Sequence, residues 1–240
     1  MVNGIFGRML DKVERIELDM AYSIAIDGPA GAGKSTIAKN IAKELGFIYV
    51  DTGAMYRAMA VYFLDNQINT DNEDDISKAC EDVEINIIYE NGFQQVILNG
   101  ENITGRLRTE EVGNTASKTA VYAPVRKKLV ELQQKLAETT NVVMDGRDIG
   151  TCVLPNATCK IYLTASVETR ADRRYKELLE KGIKADIEEI KKDIADRDYR
   201  DMNRDVSPLK QADDAVLVDS SFMNIEEVTN TIIDKYKEKI

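Results

Sequence analysis

Apolar residues along this chain fall into two alternating rhythms. Short continuous runs, YSIAID (22–27), FIYVD (47–51), NVVMD (141–145), CKIYLT (159–164) and AVLVDS (215–220), are separated by longer stretches with helical spacing. The runs lack the in–out alternation of a strand with one wet face, so they predict strands of a parallel sheet covered on both sides. The stretches between them predict helices over 34–45, 53–65, 109–138, 166–181, 186–204 and 224–238; in the last, Asn224 and Glu227 have capping-box spacing. Strand and helix in alternation predict a doubly wound α/β domain, with ligands at the carboxyl ends of its strands.

One segment keeps a different period. VEINIIYENGFQQVILNGENITG (83–105) alternates every second residue and carries Asn-Gly at 91–92 and 99–100. Those dipeptides signal hairpin turns, so the segment predicts a small antiparallel meander. We therefore expect a β-rich lobe inserted at 66–108, dividing the main domain into 20–65 and 109–240. Residues 1–19, ahead of Met20, form an N-terminal extension to which no function is assigned.

Composition then narrows the chemistry. The chain has no histidine, which removes Ser-His-Asp triads, Cys-His pairs and HExxH zinc sites together. Cys80, Cys152 and Cys159 form no CxxC pair and read as free thiols of a reducing compartment, hence a cytoplasmic protein. No run of ~18 apolar residues predicts a membrane span. The formal charge of −10 argues against general nucleic-acid binding. That excess is local: residues 65–90 hold nine acids against Lys78, leaving 31 basic and 33 acidic residues elsewhere. The acidic stretch reads as a solvated face, and the remainder can still cluster arginines around an anion. No apolar interaction stripe stands out, which suggests a monomer.

GPAGAGKST (28–36) satisfies G-x-x-x-x-G-K-[ST] through Gly28, Gly33, Lys34 and Ser35, with a predicted strand before it and a helix after it. Backbone amides of such a loop point inward as an anion nest, and the helix adds its positive end. Lys34 can span the β- and γ-phosphates of a nucleotide, and the Ser35 hydroxyl can ligate Mg²⁺. Asp145, ending NVVMD, is a candidate to orient waters on that ion or to cap the next turn; Asp27, before the loop, is a weaker one.

Three further clusters sit at or above predicted strand ends. DTGAMYR (51–57) places Thr52, Tyr56 and Arg57 at a helix start, where an anion is favoured. DGRDIGT (145–151) sets Arg147 and Asp148 in a glycine-flanked turn that suits a ligand better than a core. In DRDYRDMNRDVSPL (196–209), Arg197, Arg200, Asp201 and Arg204 recur at i, i+3, i+4 and i+7, one helical face ended by Pro208. A salt-bridged solvated face would read the same way, but forked donors also match phosphoryl oxygens.

Taken in order, IDGPAGAGKST, YVDTGAMYRA, MDGRDIGT and RDYRDMNRDVSPL resemble the bacterial cytidylate kinases across residues 20–240. The resemblance implies a P-loop NTPase-type fold: a five-stranded parallel sheet with helices on both faces, an inserted monophosphate-side lobe, and a mobile lid at about 168–195. It implies ATP bound by Gly28, Pro29, Ala30, Gly31, Ala32, Gly33, Lys34, Ser35 and Thr36, with Arg170 and Arg174 of the lid as candidate contacts. Arg57, Arg147 and Arg204 would grip the phosphate of CMP beside Tyr56 and Thr52. Ser117, Arg126 and Asp148 would read cytosine, and Asp201 would hold the ribose. Arg197 and Arg200 would bridge the phosphates of both nucleotides. Relatives can carry glycine in place of Ser35, so a side-chain Mg²⁺ ligand there is not essential to the family.

The implied reaction is ATP + CMP ⇌ ADP + CDP, with dCMP as a second acceptor and catalysis resting on Lys34, Arg197, Arg200, Arg204 and Mg²⁺. The rivals are a kinase for UMP or AMP, a regulatory P-loop NTPase, and a nucleotide-binding scaffold. A GTPase would carry an N-K-x-D motif, which is absent.

Overall fold

A computed structural model describes residues 21–90 and 93–240. The extension 1–19 and the first Asn-Gly turn, 91–92, lie outside the described residues. In chain order the first half runs β1 (Ser23–Asp27), α1 (Lys34–Leu45), β2 (Ile48–Asp51), α2 (Thr52–Asp65), α3 (Glu73–Asp82), β3 (Ile85–Glu90), β4 (Phe93–Leu98) and β5 (Glu101–Asn102). It continues through α4 (Glu110–Thr119), α5 (Ala123–Thr139), β6 (Val142–Gly146), a π-helical turn (Ile149–Val153) and β7 (Cys159–Thr164). The chain then forms α6 (Val167–Glu180), α7 (Ile187–Asn203), β8 (Val216–Asp219) and α8 (Ile225–Lys237).

Five strands form a parallel sheet in the order β2–β6–β1–β7–β8. Side chains of β1 divide between the two faces. Ile24 and Ile26 enter one core with Ile37, Ile41 and Ile232, whereas Ala25 enters the other with Met55, Phe63 and Leu129. Every residue of β1 is buried, which explains why the strand reads as a continuous apolar run. The chain turns to opposite sides of β1 after its carboxyl end, opening a crevice there, and the phosphate loop leaves β1 at that point.

Gly28 fixes the start of the loop against the sheet. A Cβ at this position would lie 1.9 Å from the carbonyl oxygen of Leu163 on β7, so only glycine lets the two backbones meet. Gly33, at φ 85°, has nothing within 4 Å of its notional Cβ and is constrained by conformation alone.

The meander forms as a separate antiparallel sheet, β3–β4–β5, with Asn99 and Gly100 both at positive φ in its second turn. Its inward residues Ile85, Val96 and Leu98 join the core of α2 and α5. A helix not expected from the pattern, α3, lies in the acidic stretch. Asn72 caps it by accepting from Asp74 and Asp75 amides, acids fill its first turn, and Ile76, Ala79 and Cys80 form its buried face. The remaining acids are solvated.

Two expected helices are corrected. The segment 109–138 is two helices, broken at Ala120–Tyr122 because Pro124 is tolerated only in a first turn. Helix α7 stops at Asn203, well before Pro208, so Arg204 stands outside the helical face, with extended backbone. At the other end of the chain, Asn224 and Glu227 close the capping box on α8.

Both glycines stand at positive φ, 149° at Gly28 and 85° at Gly33, and only Gly28 also meets backbone, so the excess cost at Gly28 reports the contact. Gly33→Ala is expected to cost about 1–2 kcal/mol, whereas Gly28→Ala costs about 3 kcal/mol or more because backbone must move. Urea unfolding measures both; equal costs would contradict the close approach of the loop to β7.

Candidate active site

The carboxyl ends of the strands open onto one cleft of about 2510 Å³. On one wall the loop 28–33 leads into α1, whose residue Lys34 is buried. The Lys34 ammonium donates to the carbonyl oxygen of Pro29 at 2.7 Å. Burial, and next the Arg147 guanidinium, hold its pKa well below the ordinary lysine range. An anion in the loop would relieve both effects.

Asp145 lies beneath the loop at the end of β6. One carboxylate oxygen accepts from Ser35 Oγ at 2.9 Å and the other from Tyr49 Oη at 2.8 Å, while its carbonyl accepts from Thr52 Oγ1 at 2.7 Å. Burial, with Asp51 adding repulsion, raises the Asp145 pKa. Both Ser35 and Thr36 are exposed to the cleft side of the loop. A hydroxyl beside an anchored carboxylate is a hard oxygen donor set, which fits a Mg²⁺ ion held mainly by nucleotide phosphates and water. Asp27 is committed otherwise: its two oxygens accept from the Ile149 and Gly150 amides, each at 2.7 Å. It thereby ties the strand that feeds the phosphate loop to the turn after Arg147 and Asp148.

The opposite wall carries the arginines, most of them next to a carboxylate. Arg57 pairs at 3.2 Å with Asp51, the residue that also caps α2. Arg147 Nε donates to Asp201 at 2.7 Å. Asp148, 5% exposed, pairs with the equally buried Arg126 through one oxygen and lies 3.5 Å from Arg204 Nη2 through the other. Arg126 also stands over the Tyr56 ring, 5.9 Å from its centroid. Burial pushes the Tyr56 hydroxyl up to about 12. Ser117, on α4, also lines the cleft. Arg197 and Arg200 line the cleft as well and, among the described residues, make no ion pair or side-chain hydrogen bond.

The two lid arginines part company. Arg174 is exposed on the cleft and, among the described residues, pairs only with Glu177 of its own helix. Arg170 is 3% exposed and its donors go to protein oxygens. The roles of Tyr49, Asp27 and Asp198 had no local signal in the sequence, because their partners lie 96, 122 and 28 residues away.

Fold and site together define a phosphate-loop phosphotransferase, whose glycine-rich loop and arginine cluster line one cleft. The family model for cytidylate kinase matches residues 24–238. The cytidylate kinase of Halalkalibacterium halodurans is 48% identical over 218 residues, covering 91% of this chain and 98% of that protein. That of Shouchella clausii is 50% identical over 217 residues, 90% of this chain and 96% of the other. The chain belongs to the cytidylate kinase family. A solved structure of an uncharacterized protein from Eubacterium ventriosum covers 90% of this chain and 98% of its own at a TM-score of 0.50 and 12% identity, a likeness of fold alone.

Asp27 gives the site a pH signature. Burial pushes its carboxyl from 3.8 up to about 6, against the lowering effect of its two amide bonds. The folded state therefore binds this proton more tightly than the unfolded chain, and folding takes up a proton between about pH 4 and 6. The contribution of Asp27 becomes more favourable to folding as pH falls through 6. Denaturant titrations at about pH 7 and pH 5 should show wild type gaining stability relative to Asp27→Asn at the lower pH. A gap that does not change with pH would contradict the raised pKa.

Proposed function

We infer that the protein transfers the γ-phosphoryl group of ATP to CMP or dCMP, giving ADP and CDP or dCDP. The observation that carries this reading is the buried Arg126–Asp148 pair at the inner end of the acceptor subsite. Cytosine presents an amino donor at N4 and acceptors at N3 and O2. A carboxylate accepts from N4 and a guanidinium fork donates to N3 and O2. Uracil reverses the pattern at positions 3 and 4, leaving buried polar groups unpaired, which is a strong basis for rejection.

The other side chains follow from that placement. Ser117 completes the base edge. Arg57, Arg147 and Arg204 hold the monophosphate beside Thr52 and Tyr56, exchanging carboxylate partners for phosphate oxygens. Asp201 takes the ribose hydroxyls. The loop 28–36 cradles ATP, with Lys34 turning from the Pro29 carbonyl to the phosphates and Arg174 reaching in from the lid. A monophosphate oxygen attacks the γ-phosphorus in line, and the bond to the β–γ bridging oxygen breaks as ADP leaves. That nucleophile is already anionic, so no general base is needed and a chain without histidine suffices. Arg197 and Arg200, which form no ion pair among the described residues, balance the charge spread over the transferred group. Mg²⁺, which Ser35 and Asp145 would hold together with the phosphates, would supply further charge neutralisation. Two of the three thiols are buried, and no helix among the described residues is long and apolar enough to cross a membrane; we read the enzyme as cytoplasmic and monomeric.

Asp148→Ala separates base reading from donor binding. It is expected to lower kcat/KM for CMP by about 100-fold or more and to leave ATP affinity within about threefold. ADP release in the presence of CMP, dCMP, UMP, AMP or GMP, together with ATP titration, measures both. Equal losses on the two sides, or wild-type rates indifferent to the acceptor, would overturn the assignment.

A further inference from the structure

Arg170 sits where three parts of the molecule meet. Its Nε donates to the carbonyl of Ala165 at the end of β7, at 2.9 Å. Nη1 donates to the carbonyl of Ala30 within the phosphate loop at 2.8 Å, and Nη2 to Asp198 of α7 at 2.6 Å. The loop lies so close that a Cβ on Gly31 would come within 3.3 Å of the Arg170 Cβ. Asp198 is 8% exposed, and its second oxygen is buried without a partner. By contrast, Arg174, one turn further along α6, and Lys181 pair with the exposed Glu177, contacts that connect no other element.

We propose that the Arg170–Asp198 pair is a positioning device that registers the arginine-bearing helix α7 against the phosphate loop. A buried ion pair is poor evidence of added stability, because its desolvation offsets its attraction. What it adds is direction. Each residue of a helix is about 100° round from the last, so pinning Asp198 sets the heading of Arg197 beside it and of Arg200 beyond. The Arg147–Asp201 bond holds the neighbouring flank of the same helix. Only a planar fork can serve the loop carbonyl and the α7 carboxylate at once. Arg170 thus acts on the phosphates through Arg197, Arg200 and the loop rather than by touching nucleotide. The inference rests on the reading of Arg197 and Arg200 as the groups that balance charge on the transferred phosphoryl.

Two single variants and their combination test it. Arg170→Lys keeps the charge but cannot span both partners; Asp198→Asn keeps shape and leaves the Ala30 and Ala165 bonds in place. With ATP and CMP, each is expected to lower kcat by about tenfold or more while KM for both substrates stays within about threefold, and the double variant should lose less than the product of the singles. The assays are repeated at about 10 °C with the folded fraction of each variant measured by circular dichroism. Loss of kcat that disappears once the variant is fully folded would overturn the proposal, as would multiplicative effects of the two changes. Arg197→Ala runs in parallel. Full activity in Arg197→Ala would remove the role of that arginine and not the tie. A crippled Arg197→Ala beside unimpaired Arg170→Lys and Asp198→Asn would remove the tie and not the role.

Discussion

Repulsion among cations crowded onto one cleft is the constraint around which the site is arranged. Lys34, Arg126, Arg147, Arg197 and Arg204 share one cleft. Like charges a few ångströms apart in a partly desolvated cleft repel far more strongly than they would in water. The structure meets this with carboxylates at element ends: Asp51 capping α2, Asp148 after β6, and Asp201 in the last turn of α7. Each holds an arginine at a bond length and in a direction that a phosphate oxygen could take over. Arg197 and Arg200, which have no such partner among the described residues, line the same cleft; in the proposed reaction the transferred group would be their counter-ion.

The same economy links the two subsites. Asp27 reaches from β1 to the backbone of the turn that follows Asp148. Thr52, at the start of α2, and Tyr49, which packs on the α1 side of the sheet, hold the carbonyl and carboxylate of Asp145 below the phosphate loop. Arg170 joins the loop to α7. The phosphate loop and the arginine-lined wall are therefore joined by hydrogen bonds that run between them.

Much of this was legible in local pattern. Continuous apolar runs placed all five parallel strands, and period-two alternation with Asn-Gly placed the meander. The glycine-rich motif placed the loop between β1 and α1. Resemblance to a family, not spacing, singled out Ser117 and Arg126, which a helix surface would otherwise absorb without comment. Three kinds of feature stayed hidden. Acid density masked α3, whose buried face is only Ile76, Ala79 and Cys80. An apolar rhythm continuing across Pro124 made α4 and α5 look like one helix. The supporting bonds of Tyr49, Asp27 and Asp198 depend on strand register and helix docking between distant segments, which no single window of sequence contains.

The central claim is that the Arg126–Asp148 pair distinguishes cytosine by its donor and acceptor edge. Calorimetric titration of the protein with CMP and with UMP, ligands of the same phosphate, sugar and shape, isolates that edge from every other contact. The account predicts UMP binding weaker than CMP by about 100-fold or more. Equal affinities would contradict it, leaving the arginine-lined subsite as a phosphate grip that does not read the base.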